Sequence, residues 1–96
     1  QSLKCKKHII IGMMKNKNHE KYIKYFKNIS SIVTVDIPNQ PNSIKGIDLK
    51  KKFKNIKNIK YEKSIKHAIQ SIDLKKNDIL VITGSLYLAG EALNMN

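Results

Sequence analysis

Apolar residues are concentrated in four short runs rich in Ile and Val, and stretches where they recur every three or four positions follow these runs. The runs predict strands at His8 to Gly12, Ser31 to Ile37, Asn58 to Tyr61 and Asp78 to Thr83. The first, His-Ile-Ile-Ile-Gly, is continuously apolar, the pattern of a strand covered on both faces. Pro38 ends the second, because it has no N–H to continue a ladder.

The intervening stretches predict helices. One spans His19 to Asn28, with Tyr22, Ile23, Phe26 and Ile29 on one stripe. A second is capped by Ser43 and anchored by Leu49, Phe53 and Ile56. A third spans Lys63 to Leu74, with Ile65, Ala68, Ile69 and Ile72 spaced i, i+3, i+4, i+7, and a fourth spans Leu86 to Leu93. The order is βαβαβαβα. Strands separated by such helices pair in parallel through right-handed crossovers, so the fold class is α/β, a Rossmann-like, mostly parallel sheet with helices on both faces.

Length adds a bound: 96 residues hold at most one hydrophobic core, hence one domain. No apolar run approaches the ~18 residues of a membrane span, and the basic start lacks the apolar core of a secretory signal. A single cysteine, Cys5, makes no internal disulfide, and His8, His19 and His67 lack metal-ligand spacing. These features predict a cytoplasmic protein with no membrane partner and no structural zinc.

The formal charge of +12 suggests a polyanion, but all 19 basic residues are Lys, and Lys, Ile and Asn make up 45 of the 96 residues. That bias follows an AT-rich coding sequence. Without Arg, the planar fork that grips phosphates and guanine edges is missing, so nucleic acid is not the expected partner. A small basic nucleic-acid-binding module stands as the rival of a different class.

In open parallel sheets ligands bind beyond the carboxyl ends of the strands, which selects the loops at Met13 to Asn18, Pro38 to Ser43 and Thr83 to Leu86. Thr83-Gly84-Ser85 offers a hydroxyl and free amides at the start of a helix, suited to a carboxylate or phosphate, but also reads as a simple turn and cap. Ser85 is not in a Gly-x-Ser-x-Gly elbow, which excludes a serine hydrolase built on it. Lys15 and Lys17 offer compact charges at a strand end. The chain has neither a Gly-x-x-x-x-Gly-Lys-Ser/Thr loop nor a Gly-x-Gly-x-x-Gly fingerprint, so it holds no nucleotide in those ways. Tyr87 and Glu91, one turn apart, are placed to pair.

Three motifs, taken in order, carry a family resemblance. Ile79-Leu-Val-Ile-Thr-Gly-Ser-Leu-Tyr-Leu-Ala-Gly-Glu91 resembles the closing strand, turn and helix of the C-terminal domain of the folylpolyglutamate synthase and dihydrofolate synthase family, relatives of the Mur ligases. Ile11-Gly-Met-Met-Lys-Asn-Lys-Asn18 is similar to that family's Gly-Met-x-x-Asp-Lys-Asp loop, and Ile37-Pro-Asn-Gln-Pro-Asn-Ser43 to its Pro-Asn-x-Pro-Arg-Ser/Ala loop.

The resemblance implies ATP-dependent ligation of L-glutamate to a folate, with ATP and magnesium held by an N-terminal domain absent from this chain. It further implies a fragment that begins at the second strand of its domain, is inactive alone and carries an exposed edge able to self-associate. Lys17 matches the loop lysine that meets a carboxylate of glutamate, and Ser85 a second donor to it. Asn16 and Asn18 replace the acids flanking that lysine, and Asn42 stands where Arg is common. Another Mur-type ligase accepting a different amino acid is the nearer rival.

Overall fold

The computed structural model describes residues 6–19, 21, 29–53 and 56–84. Four strands, β1 (Lys7–Ile11), β2 (Ile29–Val35), β3 (Ile59–Glu62) and β4 (Ile79–Thr83), form one sheet in the order β3-β2-β1-β4. Every pairing is parallel. Two helices lie among the described residues, α1 (Gly46–Lys52) and α2 (Ile65–Ser71). The strands begin and end within two residues of where the apolar runs place them.

β1 is interior to the sheet, between β2 and β4, and alternation sends its side chains to two separate cores. Ile9 and Ile11 join Ile32, Met13, Ile44, Leu49 and Phe53 beneath α1. Ile10 joins Val33, Val35, Ile37, Ile65 and Ala68 beneath α2. Ile9, Ile10 and Ile11 are all 0% exposed, so the run is apolar because neither of its faces meets water.

Both helix starts differ from expectation, α2 beginning at Ile65, two residues after the expected Lys63. Ser64 caps α2, its side chain accepting from the amide of His67 at 3.2 Å. Ser43 does not cap α1. Its hydroxyl donates to the Gln40 carbonyl at 2.7 Å, and Lys45, with no side-chain cap, precedes the helix. Asp36, at the end of β2, reaches across instead and accepts from the Gly46 amide at 2.7 Å. A carboxylate there also faces the positive end of the helix.

α2 is shorter than the predicted Lys63 to Leu74. Ile72 turns extended, with φ −100° and ψ 126°, and still packs against the α2-side core. Beyond it the chain closes a turn: Asp78 N–H donates to the Lys75 carbonyl at 3.0 Å, and the Asp78 carboxylate accepts from the Lys75 amide at 2.9 Å. This reciprocal turn competes with further helix and delivers the chain to β4. Of the helix expected over His19 to Asn28, only His19 and Lys21 are described, both helical. The closing helix expected over Leu86 to Leu93 lies outside the described residues.

Candidate functional site at the carboxyl rim

Because β1 and β4 run parallel with Ile11 opposite Thr83, the loops that follow them leave the sheet from one rim. The ladder continues one step further, Gly12 N–H donating to the Thr83 carbonyl at 3.3 Å. Gly84 then takes φ +108°, a conformation L side chains rarely adopt. A Cβ there would lie 2.4 Å from the Gly12 carbonyl oxygen and 3.0 Å from Ile11 Cγ1. Glycine at 84 is required twice, by backbone conformation and by the close passage of the two loops.

The loop after β1 is also joined to the loop after β2. Met14 bridges Ser43, Lys15 N–H donates to the Asn42 carbonyl at 2.8 Å, and Ile44 N–H to the Met13 carbonyl at 3.0 Å. Met13, 2% exposed, anchors the first loop to the α1-side core. Asn39 supplies the left-handed turn of the second at φ 60°, a region Asn tolerates. Backbone hydrogen bonds thus hold the first two selected loops side by side and join the start of the third, at Thr83, to Gly12.

On this platform, residues 15–18 are exposed, and Lys17 stands at the tip of the first loop. His19, just beyond, is 6% exposed, and its Nε2 lies 2.9 Å from the Met14 carbonyl oxygen. Since that carbonyl only accepts, Nε2 carries the proton, and His19 serves to tie the loop to its helix. Asn18 Oδ1 accepts from the Lys21 amide at 3.1 Å, an N-cap geometry. The cap explains how Asn substitutes for an acid at this position, since both side chains carry the oxygen that an N-cap needs.

Ser85, Tyr87, Glu91 and Cys5 lie outside the described residues, so of the two predicted substrate contacts only Lys17 is described. The three histidines are separate. His67 is exposed and bonds Ser64, while His8 lies at the opposite rim of the sheet.

One rim element was not apparent in the sequence. Asp36 accepts from both the Gly46 amide and the Tyr61 hydroxyl, the latter at 2.5 Å, joining β2, α1 and β3. That hydrogen bond, with partial burial and the nearby carboxylate charge, pushes the Tyr61 phenol up to about 12. The only sequence signal was an acid near the carboxyl end of the predicted Ser31 to Ile37 strand.

Among the described residues, no group of three or more His, Cys, Asp or Glu side chains could hold a metal ion. With no phosphate-binding loop in the sequence either, these residues do not fit ATP and its metal. No described helix is long and apolar enough to cross a membrane.

Comparison with known proteins agrees with this architecture. No curated protein matches the sequence. Among solved structures, a folylpolyglutamate synthase from Thermotoga maritima superposes with a TM-score of 0.76 at 24% identity, over 93% of this chain and 20% of that one. A bifunctional folylpolyglutamate synthase/dihydrofolate synthase from Yersinia pestis, complexed with AMPPNP and a Mn ion, gives 0.75 at 13% identity, over 94% and 22%. The chain therefore spans about a fifth of the length of either protein, and at these identities the likeness is one of fold. The family model described as Mur ligase, glutamate ligase domain matches residues 1–86, and the chain belongs to that family.

Proposed function

We propose that this chain is the glutamate-facing domain of an ATP-dependent folate glutamate ligase of the folylpolyglutamate synthase and dihydrofolate synthase type. The observation that carries the reading is the meeting of its three matched loops. Motifs far apart in sequence are hydrogen-bonded at one rim, the loop after β1 to that after β2 and Gly12 to Thr83, with Gly84 packed against the Gly12 carbonyl.

Here the domain forms one wall of a cleft. The Lys17 ammonium pairs with a carboxylate of the incoming glutamate, and the Ser85 hydroxyl donates a second hydrogen bond to the same molecule. Together they orient the glutamate amine toward the folate carboxyl that it attacks, which is catalysis by positioning. The nucleotide and magnesium lie outside the described residues of this chain, in a separate N-terminal domain. The AMPPNP and Mn ion seen with the Yersinia pestis protein support ATP and a divalent metal as requirements of the full-length enzyme.

The test is a ligation assay on the full-length protein with folate and muramyl acceptors offered separately. Ligation with the folate acceptor supports the reading, and turnover only with a muramyl acceptor transfers the domain to another Mur-type ligase. In the same assay Lys17→Ala should raise the KM for glutamate by about tenfold, the cost of one charged hydrogen bond, and leave the KM for ATP unchanged. An unaltered glutamate response would remove Lys17 from the site.

A further inference from the structure

At the opposite, amino-terminal rim of the sheet, on the face covered by α2, an open pocket has a volume of about 430 Å³. That falls within the roughly 300–1,000 Å³ of small-molecule sites. Its position follows from the strand register. His8 of β1 lies opposite Ser31 of β2, on the same face as Ile10 and Val33, and Lys60 of β3 lies opposite Val33. The end of α2 and the turn leading to β4 close the remaining side with Ile72, Asp73, Lys75 and Asp78.

One wall is a hydrogen-bonded cluster of buried and half-buried polar groups. His8 is 8% exposed, with Nδ1 2.7 Å from the Ser31 hydroxyl and Nε2 3.2 Å from the Asp78 carboxylate. The carboxylate only accepts, so Nε2 donates to it. Asp78 also accepts from the amides of Lys75 and Lys6, which hold its carboxyl below the usual carboxylate range, the Lys75 amide contributing most. The chain of bonds ties β1, β2 and the β4 approach into a fixed surface.

The charges lining this surface are unequal. Lys6, Lys57, Lys60 and Lys75 face two carboxylates, Asp73 and Asp78. Both acids are engaged, Asp73 by the Lys75 ammonium at 2.8 Å and Asp78 by His8 and the two amides. Lys60 donates to the Ser71 carbonyl at 2.7 Å, covering the negative end of α2. A cation would find no uncommitted carboxylate there, whereas an anion meets surplus ammonium groups in a concave site that concentrates their field.

We infer that this pocket binds a small phosphate-bearing anion, with the Lys6 and Lys57 ammonium groups as its principal partners and Ile72 as the apolar contact for the rest of the molecule. The site is separated from Lys17 by the length of β1, about 15 Å, and does not depend on the ligase reading.

The experiment is lysine acylation of the intact protein, read peptide by peptide by mass spectrometry, with and without inorganic pyrophosphate. Pyrophosphate should slow labelling of Lys6 and Lys57 several-fold and saturably while leaving Lys51 and Lys52, exposed on α1, at their original rates. In Lys57→Gln, the concentration that half-protects Lys6 should rise by about tenfold, the worth of one charge-assisted hydrogen bond. Uniform slowing of all lysines, or no protection of Lys6 and Lys57, would overturn the assignment. Because the readout is local to this rim, binding of pyrophosphate elsewhere in the protein, or loss of ligase activity, changes neither outcome.

Discussion

The Tyr61 hydroxyl donates to the Asp36 carboxylate at 2.5 Å while the Tyr61 ring lies over the first residue of α1. A Cβ at Gly46 would come within 2.6 Å of ring carbons Cδ1 and Cε1 and within 2.8 Å of the Val35 carbonyl carbon. Gly46 therefore begins the helix because only a hydrogen fits between strand and ring. The same packing brings its amide onto Asp36, so ring, carboxylate and helix start form one joint beside the loop of Pro38 to Ser43.

This joint predicts a loss of stability at alkaline pH. Tyr61 is raised from 10.0 to about 12 in the folded protein, so the native state favours the protonated phenol. The contribution is complete below pH 10.0 and disappears as the pH rises from there through about 12. Tyr61→Phe should cost about 1 kcal/mol at neutral pH and remove this part of the alkaline decline, as measured by denaturant unfolding at several pH values. A tyrosinate absorbance titration in which no tyrosine titrates later than the others would refute it.

Gly84 sets the exit of the chain from β4 toward Ser85. Gly84→Ala combines an unfavourable φ with a Cβ 2.4 Å from the Gly12 carbonyl oxygen, so either the strand end or the first loop must move. The expected cost is about 2 kcal/mol, in the range of overpacked sites, and the proposed function adds a parallel rise in the KM for glutamate in the full-length protein. A substitution neutral in both measurements would contradict the close passage of the two loops.

Asn18 tests whether the replacement of an acid beside Lys17 is structural. Asn18→Asp should leave stability nearly unchanged, because the carboxylate also accepts from the Lys21 amide. Asn18→Ala should lose about 1 kcal/mol of stability and loosen the loop that presents Lys17. Comparable destabilisation by Asp and Ala, in thermal unfolding at neutral pH, would show that capping is not the role of this side chain.

The sequence by itself was sufficient for the strands and for the two-sided burial of the sheet. The Ile9, Ile10 and Ile11 run can avoid water only between two layers. The alignment of the carboxyl-rim loops was likewise legible, because parallel strands with intervening helices put all their carboxyl ends on one side. These are short-range or periodic facts, written within a few residues of where they act.

Tertiary structure alone decided which distant groups meet. Asp36 rather than Ser43 serves the start of α1, because a charged acceptor ten residues upstream reaches the Gly46 amide while Ser43 is held in its own turn. The reciprocal turn of Lys75 and Asp78 ends α2 early, and the strand order β3-β2-β1-β4 brings residues 6 to 78 around one pocket. Such partners are chosen by the path of the whole chain, and no local pattern records a contact between His8 and a carboxylate 70 residues away.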